Sequence, residues 1–371
     1  MHSHVDYVKY PHIENLFKQK IASPRQELRR FKRMTLSKTV LAVSIVAATT
    51  STAVFAETTI SGYGELHYNN LSSDTKDKKE FDFHRFVLEF GHDFNEKIRF
   101  FSELELEHAL VKDTAGGDNG GEIELEQAYI EMDISDTESI KAGVFLIPVG
   151  MMNETHEPPA FYGVERNPVE KNIIPSTWWE AGAMYSTYTP DGISYDLAFH
   201  SGLNSATGEV RKGRQKVANA VAESLAYTAR VKYTGMPGLE VAGTLQYQDD
   251  MSQGTVANAV SATLLEAHVK YSTGPLALSA LYATWDVDIN TDKKTQKGGF
   301  VEASYKLNSK WGVFTRQNNW TNDDSVTDKA QTDIGFNYWP HEDVVFKADY
   351  QMQNDDAGDM DGFNLGVGYR F

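Results

Sequence analysis

The chain closes on FNLGVGYRF, Phe363 to Phe371. Bulky apolar residues stand at Phe363, Leu365, Val367, Tyr369 and Phe371, and Asn364, Gly366, Gly368 and Arg370 stand between them. A period of two marks a β-strand with one oily face and one polar or small face. One such strand fits any half-buried sheet, so the fold depends on whether the pattern recurs.

It recurs along the chain. In KIRFFSELELEHAL, Ile98, Phe100, Leu104 and Leu106 share one face, while Arg99, Glu103, Glu105 and Glu107 share the other. AYTARVKY sets Tyr227, Ala229, Val231 and Tyr233 against Thr228, Arg230 and Lys232. LEVAGTLQYQ and QTDIGFNY repeat the pattern, and DVVFKADYQM sets Val344, Phe346, Ala348, Tyr350 and Met352 against Lys347, Asp349 and Gln351. Rows of charge this dense do not enter a sandwich core, so the wet face needs water and the oily face needs lipid.

Tight turns read at DFNEK, SDTES, TPDG, GMPG, STGP, LNSK and WPHED. Longer polar connections read at 69–79, 112–121, 147–178, 203–223, 249–260, 286–298, 321–330 and 354–360. Alternating short and long connections predict an all-β, transmembrane antiparallel β-barrel of 16 strands, with 18 as the alternative count. Strands of about ten residues cross a bilayer at a tilt. All six tryptophans (Trp178, Trp179, Trp285, Trp311, Trp320 and Trp339) fall at predicted strand ends, which predicts interfacial belts. Three stretches break the alternation. EIELEQAYIEMDI changes phase near Gln127, where a bulge would restore it. LALSALYATW and the stretch after Asp82 are apolar on both faces.

Residues 34–56, MTLSKTVLAVSIVAATTSTAVFA, have a basic start, a short apolar core and small residues before Glu57. They predict a Sec signal peptide, with 1–33 an upstream extension outside the fold and 57–371 the barrel. Residues 1–56 hold nine Lys+Arg and three Asp+Glu, so 57–371 carry 26 basic and 49 acidic residues, a net of −23. That charge excludes nucleic-acid binding. The absence of cysteine excludes disulfides and thiolate chemistry.

The longest connection is IPVGMMNETHEPPAFYGVERNPVEKNIIPSTWW. Together with GEIELEQAY before it, this run resembles the porin O/porin P, or phosphate-selective porin, family of Gram-negative outer membranes. The resemblance extends over essentially all of 57–371. It implies a homotrimeric, passive, water-filled channel for small hydrophilic solutes or ions, whose long third loop folds into the lumen. It also implies that Tyr369 and Phe371 form the terminal insertion signal read by the barrel assembly machinery. Outer-membrane lipid and lipopolysaccharide are the surroundings so implied. Characterised members select anions through lining arginines and lysines. Here inward-facing arginines are few against Glu103, Glu105, Glu107, Glu122, Glu124 and Glu126. Lining charge sets ion preference, so a cation-leaning or weakly selective channel is expected.

The candidate constriction-loop residues are Glu154, His156, Glu157, Glu165, Arg166, Glu170 and Lys171. The candidate pore-lining residues are Arg85, Arg99, Glu103, Glu105, Glu107, Glu124, Arg230, Lys232, Lys347 and Asp349. NETHEPP gathers Glu154, His156 and Glu157, but no second cluster in the sequence completes a metal site, so no metal or cofactor is expected. RKGRQK (Arg211, Lys212, Arg214 and Lys216) suits lipopolysaccharide phosphates, inward anion attraction or a solvated loop tip. His200 and Ser201 are adjacent and point to opposite faces of a strand, so no catalytic pair forms and no enzyme is expected. A non-conducting barrel with an adhesive or envelope-structural role is the alternative class.

Overall fold

The computed structural model describes residues 57–111, 120–289, 292–322 and 328–371. The signal-peptide and upstream segments fall outside these residues. Sixteen antiparallel strands close into one barrel. They are β1 Thr58–Ser72, β2 Asp77–Asp93, β3 Ile98–Glu107, β4 Ile123–Asp133, β5 Glu138–Leu146, β6 Trp179–Tyr188, β7 Ile193–His200 and β8 Ala226–Tyr233. They continue as β9 Leu239–Gln248, β10 Val260–Thr273, β11 Leu276–Ile289, β12 Asp292–Lys306, β13 Trp311–Thr321, β14 Lys329–His341, β15 Val344–Gln353 and β16 Asp361–Arg370.

Each strand pairs with its neighbour in sequence, and β16 closes the ring on β1, from Tyr63 opposite Arg370 to Ser72 opposite Asp361. Gly62 and Phe371 exchange both backbone hydrogen bonds, at 3.0 and 2.9 Å. Closure is obligatory in lipid, where an unpaired edge has no water to bond. The outer face carries Phe363, Leu365 and Phe371.

All seven tight turns fall between the strands they were expected to join. Two expected loops are largely strand. β1 and β2 pair as far as Ser72 opposite Asp77, and β11 and β12 as far as Ile289 opposite Asp292. Alternation reports lipid on one face, whereas a ladder needs only backbone partners. These hairpins therefore continue past the oily outer band, with Leu71 and Val287 turned inward among mostly polar neighbours.

The irregular stretches have local causes. The β3–β4 register steps from Glu103 opposite Gln127 to Leu104 opposite Leu125, which leaves Glu126 as the bulged residue. The β1–β2 register slips between Glu65 and His67, opposite Arg85 and Asp82. The inward apolar face of β11 (Leu281, Ala283, Trp285 and Val287) packs against loops that fill this side of the lumen.

The same packing overturns the aromatic-belt expectation. Trp178 and Trp285 are wholly buried, Trp179, Trp320 and Trp339 are nearly so, and only Trp311 is exposed, at 41%. Position at a strand end says nothing about which face an indole takes.

Candidate functional site in the lumen

The 32 residues between β5 and β6 fold inside the barrel. Asn153 ties the two ends of this third loop. Its amide donates to the carbonyls of Ile147 (2.8 Å) and Trp178 (2.9 Å), and its oxygen accepts the Trp178 N–H at 2.7 Å. A one-turn helix, Pro168–Asn172, is capped by Asn167, whose side chain accepts the Glu170 N–H. The Glu170 carboxylate is wholly buried and accepts the N–H groups of Met151 (2.5 Å) and Met152 (2.7 Å). Glu170 therefore braces the loop from within and does not face water, a correction to its expected place among the constriction charges.

From that brace the loop crosses the lumen, meeting the wall at successive strands. Glu154 pairs with Arg230 of β8, which also holds Asp196 at 2.8 Å. His156 lies against Glu103 and Glu126, with Glu157 buried beside it. The Phe161 carbonyl accepts from Asn337 at 3.0 Å, and the Lys347 ammonium sits 3.4 Å above the Phe161 ring. Asp349 accepts the Val164 N–H at 2.6 Å. The Glu165 carboxylate meets both His67 and Asn69 at 3.2 Å.

This path accounts for the glycines of the final strand. A β-carbon on Gly368 would lie 2.2 Å from Pro158, and one on Gly366 would lie 3.1 Å from Val164. Gly368→Val is expected to leave the barrel closed but push the loop off its seat, at a cost of about 1–3 kcal/mol. Single-channel recording would register this as more frequent gating than in wild type, and an unchanged trace would refute the seating.

Two cavities of about 320 Å³ each flank the loop, and both are lined by Lys78, Glu165, Arg166 and Lys171. The connection between β7 and β8, residues 201–225, adds Arg211, Arg214 and Lys216 to one of them. Arg166 donates to Thr177 at 2.8 Å, and its Nε and Nη2 have no hydrogen-bond partner. Arg211 donates to the carbonyls of Lys171 and Ser176, and Arg214 to that of Thr177. Among the described residues, none of Arg166, Lys171, Arg211 and Arg214 forms an ion pair with a carboxylate.

Their acidities register the crowding. Enclosure, then neighbouring Arg214 and Arg166, lowers Arg211 to about 10. Enclosure, then Arg211, Lys78 and Arg166, lowers Lys171 against the pull of Glu165. Burial opposes the charge on Glu165, yet His67 holds its carboxyl well below the usual range. Burial likewise opposes a charged His156, and Glu103 and Glu126 push it up to about 10.

The wall residues divide differently. Arg85 pairs with Glu65 (2.9 Å) and Glu105 (3.6 Å), and Glu124 pairs with Lys216. Glu103 accepts from Tyr63 and Gln127. Arg99 is paired with Asp133 (2.8 Å) and Glu131 (3.2 Å) near the short-turn end and lines neither cavity. Glu107 lines a cavity, and Lys232 is half-buried on the inner face of β8. Several acids of the wall are thus compensated by cations, whereas Arg166, Lys171, Arg211 and Arg214 beside the third loop have no carboxylate partner among the described residues.

A sequence model described as Gram-negative porin matches residues 42–371. The chain belongs to the Gram-negative porin family. An uncharacterized protein of Aquifex aeolicus (strain VF5) is 30% identical over 84% of this chain and 79% of its own. The fold also resembles an anion-selective porin from Comamonas acidovorans, at TM-score 0.61 and 12% identity over 85% of this chain and 100% of that one. The trimer form of Vibrio cholerae OmpT matches at TM-score 0.56 and 12% identity over 85% and 99%.

As a Gram-negative porin the chain is an outer-membrane channel protein, and two of its connections pack together against the barrel wall. Trp178, Trp285, Ile173, Leu203, Leu264 and Met251 pack into one apolar cluster, with the Trp285 indole donating to the Ile173 carbonyl at 3.0 Å. RKGRQK does not stand at a loop tip: Lys212 is exposed, while Arg211, Arg214 and Lys216 turn inward. The sequence signal was its standing as the one dense basic run of the porin. His200 bonds Thr228 at 3.0 Å and Ser201 bonds Glu180, all four side chains buried, so the two do not meet.

Proposed function

We propose that this porin passes small hydrophilic solutes and ions passively, with the third loop and Arg166, Lys171, Arg211 and Arg214 forming its eyelet. The single observation carrying this reading is the set of four cations without carboxylate partners among the described residues, Arg166 and Lys171 lining both cavities and Arg211 and Arg214 one of them. The excess of acid over the whole chain argues for cation leaning. An ion in transit responds most to the charges it passes closest to. We therefore read the channel as weakly selective, with an eyelet that draws anions into a lumen of acidic average charge. The anion selectivity named for the Comamonas acidovorans porin supports that reading, as does the resemblance of the third loop to the phosphate-selective branch. Export through residues 34–56, a homotrimeric assembly like the trimer form of the Vibrio cholerae protein, insertion read from Tyr369 and Phe371, and contact with lipopolysaccharide complete the proposal.

Planar-bilayer recording of folded residues 57–371 in a salt gradient tests it. Stepwise conductance with a small reversal potential is expected. Silence would leave the adhesive or structural barrel as the surviving reading. A large reversal potential of cation sign would remove the eyelet argument.

A further inference from the structure

The cluster at His156 is built like a metal centre. Its Nδ1 faces the Asn153 carbonyl at 3.2 Å and keeps its proton there, so an ion arriving at Nε2 would displace the second ring proton that the two carboxylates favour. Nε2 is aimed between Glu103 Oε1 and Glu126 Oε2, 3.6 Å from each. His156 is 4% exposed and Glu126 2%, and neither Nε2 nor Oε2 has a hydrogen-bond partner. A proton on Nε2 does not close this geometry, because 3.6 Å is too long for a hydrogen bond. Bonds of roughly 2.0–2.2 Å at tetrahedral angles set ligand atoms about 3.3–3.6 Å apart, which the two Nε2–carboxylate separations match, and all three ligand atoms lie within 4.8 Å of one another.

We propose that Glu103, Glu126 and His156 bind a divalent transition ion of the zinc class, which clamps the third loop to the barrel wall. One imidazole and two carboxylates suit a borderline ion better than calcium, which takes six to eight oxygens. The supporting groups are in place. Tyr63 donates to Glu103 Oε1 at 2.8 Å, and Gln127 donates to Glu103 Oε2 at 2.7 Å. Such partners orient the ligating oxygens. The sequence hid this site, because the loop supplies one ligand and the bulged wall of β3 and β4 supplies two. It stands whether or not the barrel conducts.

Folded porin in detergent, stripped with chelator and titrated with zinc sulfate or cobalt chloride, tests the assignment. One zinc per chain is expected, with the intense visible absorption of low-coordinate cobalt. His156→Gln and Glu126→Gln are each expected to weaken zinc binding about 100-fold or more, and Tyr63→Phe roughly 10–100-fold. Glu157→Gln is expected to leave it unchanged. Should the ligand variants fail to fold, the wild-type titration decides alone. No stoichiometric zinc, calcium in preference to zinc, or undiminished binding in a folded His156→Gln variant would each overturn the proposal.

Discussion

The double substitution Arg166→Glu with Lys171→Glu is expected to swing the channel from weak preference to clear cation preference. Each residue lines both cavities, and neither has a carboxylate partner among the described residues. A unit charge about 5 Å from an ion in water-like dielectric contributes about 0.8 kcal/mol, and salt near 0.1 M screens part of it. Reversing two charges in that setting predicts a rise in cation-to-anion permeability of roughly 10-fold or more. Reversal potentials in a potassium chloride gradient measure it directly. The paired cation Arg99 serves as control, because Asp133 and Glu131 already hold it and it lines neither cavity. An unchanged reversal potential in the double variant would show that ions take a path these residues do not face.

The second large effect concerns the buried indoles. Trp285→Ala removes a wholly buried ring together with its hydrogen bond to Ile173, and is expected to cost about 3–5 kcal/mol. The loss falls on the loop packing, since the β11 backbone ladder remains. The expected result is a folded barrel with a loosened third loop, seen as larger and noisier conductance and faster proteolysis within residues 147–178. Trp311→Ala, at an exposed position on the outer face, is expected to change neither. Equal effects of the two substitutions would return Trp285 to an interfacial role.

These two experiments also mark where sequence reading stopped. Strand existence, closure and most of the facing were legible, because lipid outside and water inside impose a period of two on most wall segments. The bulge at Glu126 was legible too, since a single added residue shifts the phase of everything after it. Loop ends at 69–79 and 286–298 were misplaced, because a ladder continues on backbone bonds where the side-chain pattern has already ceased. The tryptophans were misread for a related reason: position along a strand and choice of face are separate facts.

By itself, then, the sequence determined a closed antiparallel wall of sixteen or eighteen strands, its oily outside, its charged inside and a third connection too long to be a turn. Only the tertiary structure decided what the charges do. It turned Arg211 and Arg214 inward beside Arg166, set Glu170 to brace its own loop, and brought His156 to Glu103 and Glu126. Periodicity is a local consequence of the two solvents that flank a strand. Which charges neutralise one another depends on where a 32-residue loop comes to rest across the lumen, and that is set by contacts between residues far apart in the chain.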